Sequence, residues 1–404
     1  LAHHSLGLTM SISSKSTTTL QGSWHRRPLA TRKKQHRVSK PPECNASKLE
    51  FPFEDCSSQS HRPSRREVLQ LGVASAFLAC IPESANAEAL LSCTAITPDW
   101  CEPGFKRFSI AVNGLDVACW VYGDLKHSTQ LPLVVVHGGP GFPHTYLQPL
   151  AQLACDGRPV IFYDQVCVGE SECVADLKRD APWTLTIDYY LAELADVIEY
   201  FDLPEKGYHV LGHSWGSVVA QLYALRQPAG LQGLVLAGAI SDAQLYKRAQ
   251  EDFILSTLPP HIQAAIDKAE RDQQYDTELY AAIAEGLTSF YTVRTSPKPD
   301  CVQSAFDNVN EQIYTAIQGP SEFTIGGKLK NWSITHKLAG IQVPTLLTNG
   351  KYDTMQPPVT DAMAEAIPNV QRQLFERSGH MTMVDEPGPY NVAVQDFLSS
   401  LELK

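Results

Sequence analysis

Gly212-His213-Ser214-Trp215-Gly216 follows the apolar run Tyr208-His209-Val210-Leu211 and precedes a helix-forming stretch from Ser217 to Arg226. Strand, sharp turn and helix in that order present a serine hydroxyl at a strand tip. The flanking glycines are expected to let the chain turn with no Cβ in the way, so that Ser214 points outward with neighbouring N–H groups aimed alongside it. Read alone, Gly-x-Ser-x-Gly also describes an ordinary Gly/Ser turn. Its weight here comes from the strand before it, the helix after it and three partner motifs elsewhere in the chain.

The first partner is His137-Gly138-Gly139-Pro140-Gly141, directly after the apolar run Leu131 to Val136. Glycine backbone lets an N–H approach the oxyanion of a tetrahedral intermediate, and losing one such donor slows acyl transfer roughly a hundredfold to a thousandfold. The expected donors are the N–H groups of Gly139 and Trp215. Asp353 follows the run Val343 to Thr348 and the turn Asn349-Gly350-Lys351-Tyr352, and His380 lies in Ser378-Gly379-His380-Met381. Serine, aspartate and histidine in that chain order are what an α/β-hydrolase requires. In that arrangement His380 takes and returns the Ser214 proton, while Asp353 orients the imidazole and stabilises its charged form.

Over roughly residues 105–401 the chain resembles the proline iminopeptidases of the α/β-hydrolase superfamily, including the tricorn-associated aminopeptidase and amino-acid amidase branch. The likeness rests on HGGPG, on Tyr163-Asp164-Gln165 with Gly169 and Ser171, and on the elbow GHSWG. It extends through Gly319-Pro320-Ser321-Glu322-Phe323-Thr324-Ile325, Asn331-Trp332, Gly350-Lys351-Tyr352-Asp353 and the His380 loop. The resemblance implies that Glu322 binds the free amino group of a substrate.

Three positions depart from the family pattern. Thr354 stands where relatives commonly carry a second glutamate, Cys167-Val168-Gly169 replaces Gly-Cys-Gly, and Ser217 replaces a glycine after the elbow. A protonated amine needs compensating negative charge when water is excluded. Asp385 or Glu386, after His380, are the candidates to supply it; otherwise they are solvated carboxylates near a helix start.

The formal net charge is −11, but residues 1–87 carry 12 Lys+Arg against 6 Asp+Glu, leaving 21 against 38 in the remainder. A basic, Ser/Thr-rich leader joined to an acidic body is the pattern of a transit peptide. Met10 is the expected start. Ser64-Arg65-Arg66-Glu67, the apolar run Leu71 to Ile81 and Ala85-Asn86-Ala87 then form a twin-arginine export signal with cleavage after Ala87. Together they predict a chloroplast protein sent to the thylakoid lumen, the alternatives being a bacterial export signal with a long tail or a hydrophobic helix of a folded domain. The apolar run falls short of the about 20 residues that span a bilayer, so no stable membrane insertion is expected after processing. The acidic body argues against nucleic acid as a partner.

Residues 88–404 contain seven cysteines. Cys93 with Cys101 is the pair to test for a disulfide, and buried reduced cysteine is expected for most of the others. No ligand spacing for zinc occurs, and no metal or cofactor is expected. Nothing in the pattern sets an oligomeric state.

Alternation in Arg107 to Asn113 and Asp116 to Tyr122 predicts an antiparallel hairpin. Candidate strands at Leu131 to Val136, Pro159 to Tyr163, Tyr208 to Leu211, Leu231 to Leu236, Val343 to Thr348 and Gln371 to Phe375 then alternate with helical patterns. This is an α/β chain: a mostly parallel sheet covered by helices on both faces. Helical spacing in Glu251 to Leu258, Ile262 to Ala269 and Thr277 to Phe290 predicts a helical cap over residues 241–340, between core segments 88–240 and 341–404. Tyr280, Phe290, Tyr291, Tyr314 and Phe323 are candidates for its underside.

The expected activity is release of an N-terminal proline or other small residue from a peptide or small amide through an acyl-enzyme on Ser214. The alternatives are a carboxylesterase with the same triad and a slow-turnover ligand sensor. With His380 near the ordinary imidazole value of about 6.5, acidification is expected to suppress turnover.

Overall fold

The computed structural model describes residues 103–180 and 182–403. The expected targeting segment and the Cys93–Cys101 pair lie outside the described residues.

Eight strands form one sheet in the order β1-β2-β4-β3-β5-β6-β7-β8. β1 (Phe105–Val112) and β2 (Leu115–Tyr122) are the predicted hairpin, and β2 pairs antiparallel with β4 (Val160–Tyr163). All other pairings are parallel: β3 (Leu133–Val136) lies between β4 and β5 (Tyr208–His213), followed by β6 (Leu231–Ala237), β7 (Thr345–Gly350) and β8 (Val370–Phe375). β3 is apolar at every position because both faces are covered. Its Leu133 and Val135 join one buried cluster, while Val134 and Val136 join the cluster on the opposite face.

Helices α1 (Ile187–Tyr200) and α2 (Trp215–Ala224) precede and follow β5. Thr186 starts α1 by accepting the Tyr189 N–H at its side-chain oxygen. Between β6 and β7 the chain runs through α3 (Ala243–Phe253), α4 (Pro260–Asp272), α5 (Glu278–Leu287), α6 (Asp300–Asp307) and α7 (Glu311–Ile317). α8 (Pro357–Ala366) and α9 (Pro387–Glu402) flank β8.

The helix expected over Glu251 to Leu258 ends instead at Phe253, and a 3-10 turn, Leu255–Thr257, follows. Pro259 and Pro260 explain the break: Pro260 begins α4, where its missing N–H removes no helical bond. The apolar spacing is still used. Ile254, Leu258, Ile262, Ile266, Ile283, Leu287 and Phe323 form a small core inside the insertion, separate from the two clusters on the sheet.

Cysteine usage also differs from expectation. Cys167 and Cys173 form a disulfide, Cys155 and Cys301 are disulfide-bonded too, and Cys119 is free and buried. The pairing across Cys167 and Cys173 arises because the loop after β4 doubles back: Cys167 donates its N–H to the Glu172 carbonyl and Glu172 donates its own to Asp116.

The strand order reverses at β3, and the crevice beside such a reversal, at the carboxyl ends of the strands, is where open α/β sheets bind ligands. Val136 pairs with Gly212, and His213 with Ala237, so the loops after β3, β5 and β6 leave the sheet side by side.

Candidate active site

Ser214 joins β5 to α2 with φ 53° and ψ −121°, a left-handed conformation that a non-glycine residue holds only under constraint from its surroundings. The flanking glycines keep a Cβ out of the turn, as expected. Neither has a positive φ. A Cβ on Gly212 would lie 2.3 Å from the Gly216 carbonyl oxygen, and one on Gly216 would lie 2.1 Å from that of Val136. They allow α2 to pack directly on the strand tips, and the turn itself falls on the serine.

His380 and Asp353 meet beside it. Asp353 Oδ1 lies 2.7 Å from His380 Nδ1 and also accepts the Met355 N–H at 2.9 Å. The His380 N–H donates to the Tyr291 carbonyl of the insertion at 2.8 Å. Burial disfavours the imidazolium, but the Asp353 charge, the hydrogen bond to it and the Glu322 carboxylate outweigh that, so the His380 pKa is raised above its ordinary value. His380 Nε2 has no hydrogen-bond partner among the described residues, so the expected bond to Ser214 is not formed in this structure. Such bonds are often long without substrate and tighten when it binds. Ser214 and His380 line the same cavity, of about 180 Å³.

One side of this cavity is tied together by neutral hydrogen bonds. The Gly138 N–H donates to the Tyr146 hydroxyl at 2.7 Å, and Tyr146 lies 2.8 Å from His213 Nδ1. The His380 carbonyl can only accept, so His213 carries its ring hydrogen on Nε2 and donates to it at 3.1 Å, and Nδ1 accepts the Tyr146 hydroxyl hydrogen. Burial drives the His213 pKa well below the ordinary value, so the ring stays neutral. The N–H groups of Gly139 and Trp215 have no acceptor among the described residues. Gly139 has φ +111°, and it and Ser214 line the cavity together.

The opposite side comes from the insertion. Glu322 Oε1 accepts from the Tyr246 hydroxyl at 2.6 Å and from the Thr354 hydroxyl at 3.3 Å. Gln250 donates to the Tyr246 oxygen at 2.7 Å. No donor among the described residues reaches Oε2, and Glu322 lines the cavity. Burial lifts the Glu322 pKa above the usual carboxylate range, with His380, Tyr246 and Thr354 acting in opposition.

Asp385 and Glu386 do not supply a second charge to this site. Asp385 accepts N–H bonds from Arg294, Thr295 and Gly379 and the Thr295 hydroxyl, while Glu386 holds the Arg377 N–H and the Ser378 hydroxyl. Both carboxylates brace the His380 loop. Thr354, whose sequence signal was a missing glutamate, is drawn into the network as a donor to Glu322.

Of the five aromatic candidates from the insertion, Tyr314 reaches the cavity. Tyr280 bonds Ser321 and Thr324, Phe290 packs on Tyr291 and Tyr352, and Phe323 belongs to the inner core of the insertion. Phe142, Tyr146, Phe306 and Met381 complete the apolar wall and carried no sequence signal. Asn310 docks the insertion: its N–H donates to the Gly141 carbonyl and its side-chain amide to that of Cys167, both at 2.8 Å.

A serine on a strained turn, an imidazole held by a carboxylate and two unused N–H groups beside them suit acyl transfer. Residues 132–387 match the family model for the alpha/beta hydrolase fold. The chain is 35% identical over 271 residues to a proline iminopeptidase of Heyndrickxia coagulans, covering 67% of this chain and 91% of that protein.

The chain belongs to the proline iminopeptidase family of α/β hydrolases.

A second member, from Saccharolobus solfataricus, is 32% identical over 301 residues, covering 74% of this chain and 93% of its own. Among solved structures, the proline iminopeptidase of Mycobacterium smegmatis superposes with a TM-score of 0.67 at 28% identity, covering 74% of this chain and 99% of that one. VinJ superposes at 0.70 with 29% identity, covering 74% and 100%. The residues matched by the alpha/beta hydrolase model run from just before β3 through the inserted helices to the start of α9.

Proposed function

We propose that this chain is a serine aminopeptidase that releases an N-terminal proline or another small residue from peptides or amino-acid amides. Ser214 Oγ attacks the first carbonyl as His380 Nε2 takes its proton. Negative charge on the carbonyl oxygen is met by the N–H groups of Gly139 and Trp215, and Asp353 stabilises the imidazolium. His380 then protonates the departing amine, and a water activated by the same imidazole cleaves the acyl-enzyme and frees the amino acid.

The observation that carries this reading is Glu322, a half-buried carboxylate with one oxygen uncommitted, in the same cavity as Ser214 and His380. A substrate ammonium beside it replaces the water that both charges lose. The experiment compares kcat/KM on prolyl and alanyl amides, their N-acetylated forms and a p-nitrophenyl ester, with Ser214→Ala as control. Free-amine amides are expected to exceed blocked ones by about a hundredfold, roughly 2.7 kcal/mol of discrimination. Turnover of the ester alone makes the protein a carboxylesterase, the reading that the single carboxylate and the apolar wall favour.

We propose the thylakoid lumen as its location, on the strength of the basic leader and the twin-arginine segment. The Cys167–Cys173 disulfide suits an oxidising compartment. N-terminal sequencing of the protein from the organelle tests this: a start at Glu88 in a lumen fraction is expected, and an uncleaved chain in the stroma overturns it.

A further inference from the structure

Gln165 is 1% exposed and does not line the cavity, yet it bonds to His137, two residues before Gly139, and to Trp215, the two residues whose N–H groups are assigned to the oxyanion being Gly139 and Trp215. Its backbone N–H donates to His137 Nε2 at 2.9 Å, and its side-chain amide donates to the His137 carbonyl at 3.1 Å. Its side-chain oxygen accepts the Trp215 indole N–H at 3.0 Å.

The first of these bonds fixes a tautomer. Nε2 accepts, so the ring hydrogen is on Nδ1, which lies 3.1 Å from the Gly138 carbonyl oxygen. Burial pushes the His137 pKa down to about 4, so the ring is neutral at ordinary pH. The Gly138 carbonyl and the Gly139 N–H belong to one planar peptide unit and point in opposite directions. Pinning the carbonyl therefore aims the N–H.

We propose that Gln165 is a positioning residue of the oxyanion hole: its backbone N–H fixes the His137 tautomer that orients the Gly139 N–H, and its side-chain amide ties the His137 carbonyl to the Trp215 indole, which registers the two donors against each other. The proposal rests on the acyl-transfer reading above and adds a residue that touches neither substrate nor triad. Its chemistry explains the residue type. The position needs one side-chain donor towards a carbonyl and one acceptor towards an indole, which an amide of this length supplies and a carboxylate does not. The neighbouring residue is anchored as well, since the Val166 N–H donates to the buried Glu193 carboxyl at 2.9 Å.

The test uses Gln165→Met, which keeps length and loses all side-chain bonds, Gln165→Glu, which keeps the acceptor alone, and Trp215→Phe, which keeps the backbone donor. Steady-state kinetics on a p-nitrophenyl ester and a prolyl amide are normalised to active sites titrated by burst amplitude. Affinity is measured for a prolyl aldehyde, which adds Ser214 Oγ to form a tetrahedral hemiacetal, and for free proline.

Gln165→Met is expected to lower kcat per active site about tenfold to a hundredfold, less than outright loss of a donor, with KM changed less than about threefold. Aldehyde affinity falls by the same factor and proline affinity does not. Gln165→Glu and Trp215→Phe show smaller losses of the same kind, and Gln165→Met with Trp215→Phe is no worse than Gln165→Met alone, because the bond that Trp215→Phe removes is already lost in Gln165→Met. An unchanged kcat per titrated site, or equal weakening of aldehyde and proline, overturns the proposal and leaves Gln165 a packing residue. If the wild type hydrolyses the ester but no free-amine amide, the aminopeptidase reading fails while the ester series still decides the role of Gln165.

Discussion

The two sides of the cavity treat polar groups differently. On the side carried by β3 and β5, Gly138, Tyr146 and His213 are neutral and each is satisfied by a neighbour, so the bonds run on to the His380 carbonyl. On the side carried by the insertion, Glu322 is a carboxylate with one oxygen held by Tyr246 and Thr354 and the other uncommitted. A satisfied network resists rearrangement, which suits donors that must already be aimed when charge develops. A half-buried charge with one oxygen uncommitted calls for a partner of opposite sign, which suits recognition. The first side is therefore expected to govern kcat for any acyl substrate, the second to govern which substrates are admitted.

The largest expected effect belongs to the catalytic side. Ser214→Ala should lower kcat on the order of 10⁵- to 10⁶-fold on ester and amide alike. Retention of more than a few per cent of activity by that variant places the nucleophile elsewhere. Asp353→Asn should fall about 10⁴-fold through loss of the correct His380 tautomer, and a milder loss in steady-state assays counts against a triad.

Glu322→Gln sharpens the comparison because it should act on one class of substrate. An about hundredfold loss in kcat/KM on free-amine amides, roughly 2.7 kcal/mol, is expected with the ester changed less than threefold. Equal losses on both would erase the distinction between the two sides.

The pH profile links them. His380 must be neutral to accept the serine proton, so kcat/KM is lost as pH falls through its pKa. That pKa is raised by Asp353 and Glu322, so the acid limb should lie above the ordinary value of about 6.5. Removing the Glu322 charge withdraws part of what raises it, so the limb of Glu322→Gln, followed on the ester, should move to lower pH. A limb that stays put means that Glu322 is not ionised in the free enzyme.

The smallest effect should come from Thr354→Val. Removing one hydroxyl bond from a carboxylate costs about 0.5–1.5 kcal/mol, so discrimination between free and blocked amides should drop roughly twofold to tenfold. No change would show that Tyr246 holds Glu322 alone.

Much of this site was legible from local pattern. The turn at Ser214, the loop at Gly139 and the positions of Asp353 and His380 follow strand ends, and strand ends are marked by where an apolar run stops. The predicted hairpin and each predicted strand appear within about two residues of their expected ends, and for β3 and β4 this follows because a strand buried on both faces must be apolar throughout. The helix expected across Leu255 failed because apolar spacing reports burial, not continuity, and Pro259-Pro260 divided one apolar stripe between two helices. Glycine at 212 and 216 keeps a Cβ out of the way as expected, and the structure adds what that Cβ would meet: α2 lies against Gly212, and Gly216 within α2 lies against Val136, contacts between segments that local turn chemistry does not contain.

The sequence by itself determined the fold class and the chain order of the nucleophile, acid and base, because each depends on residue type and on periodicity along the chain, while the candidate Glu322 came from the resemblance to the family. Only the tertiary structure decided that Thr354 donates to Glu322 while Asp385 and Glu386 brace a loop, and that Gln165 joins His137 to Trp215. Those assignments depend on which hydrogen-bond donor faces which acceptor across separate strands and helices. Two carboxylates next to each other in sequence can only be told from a binding pair once the groups they bond to are in place.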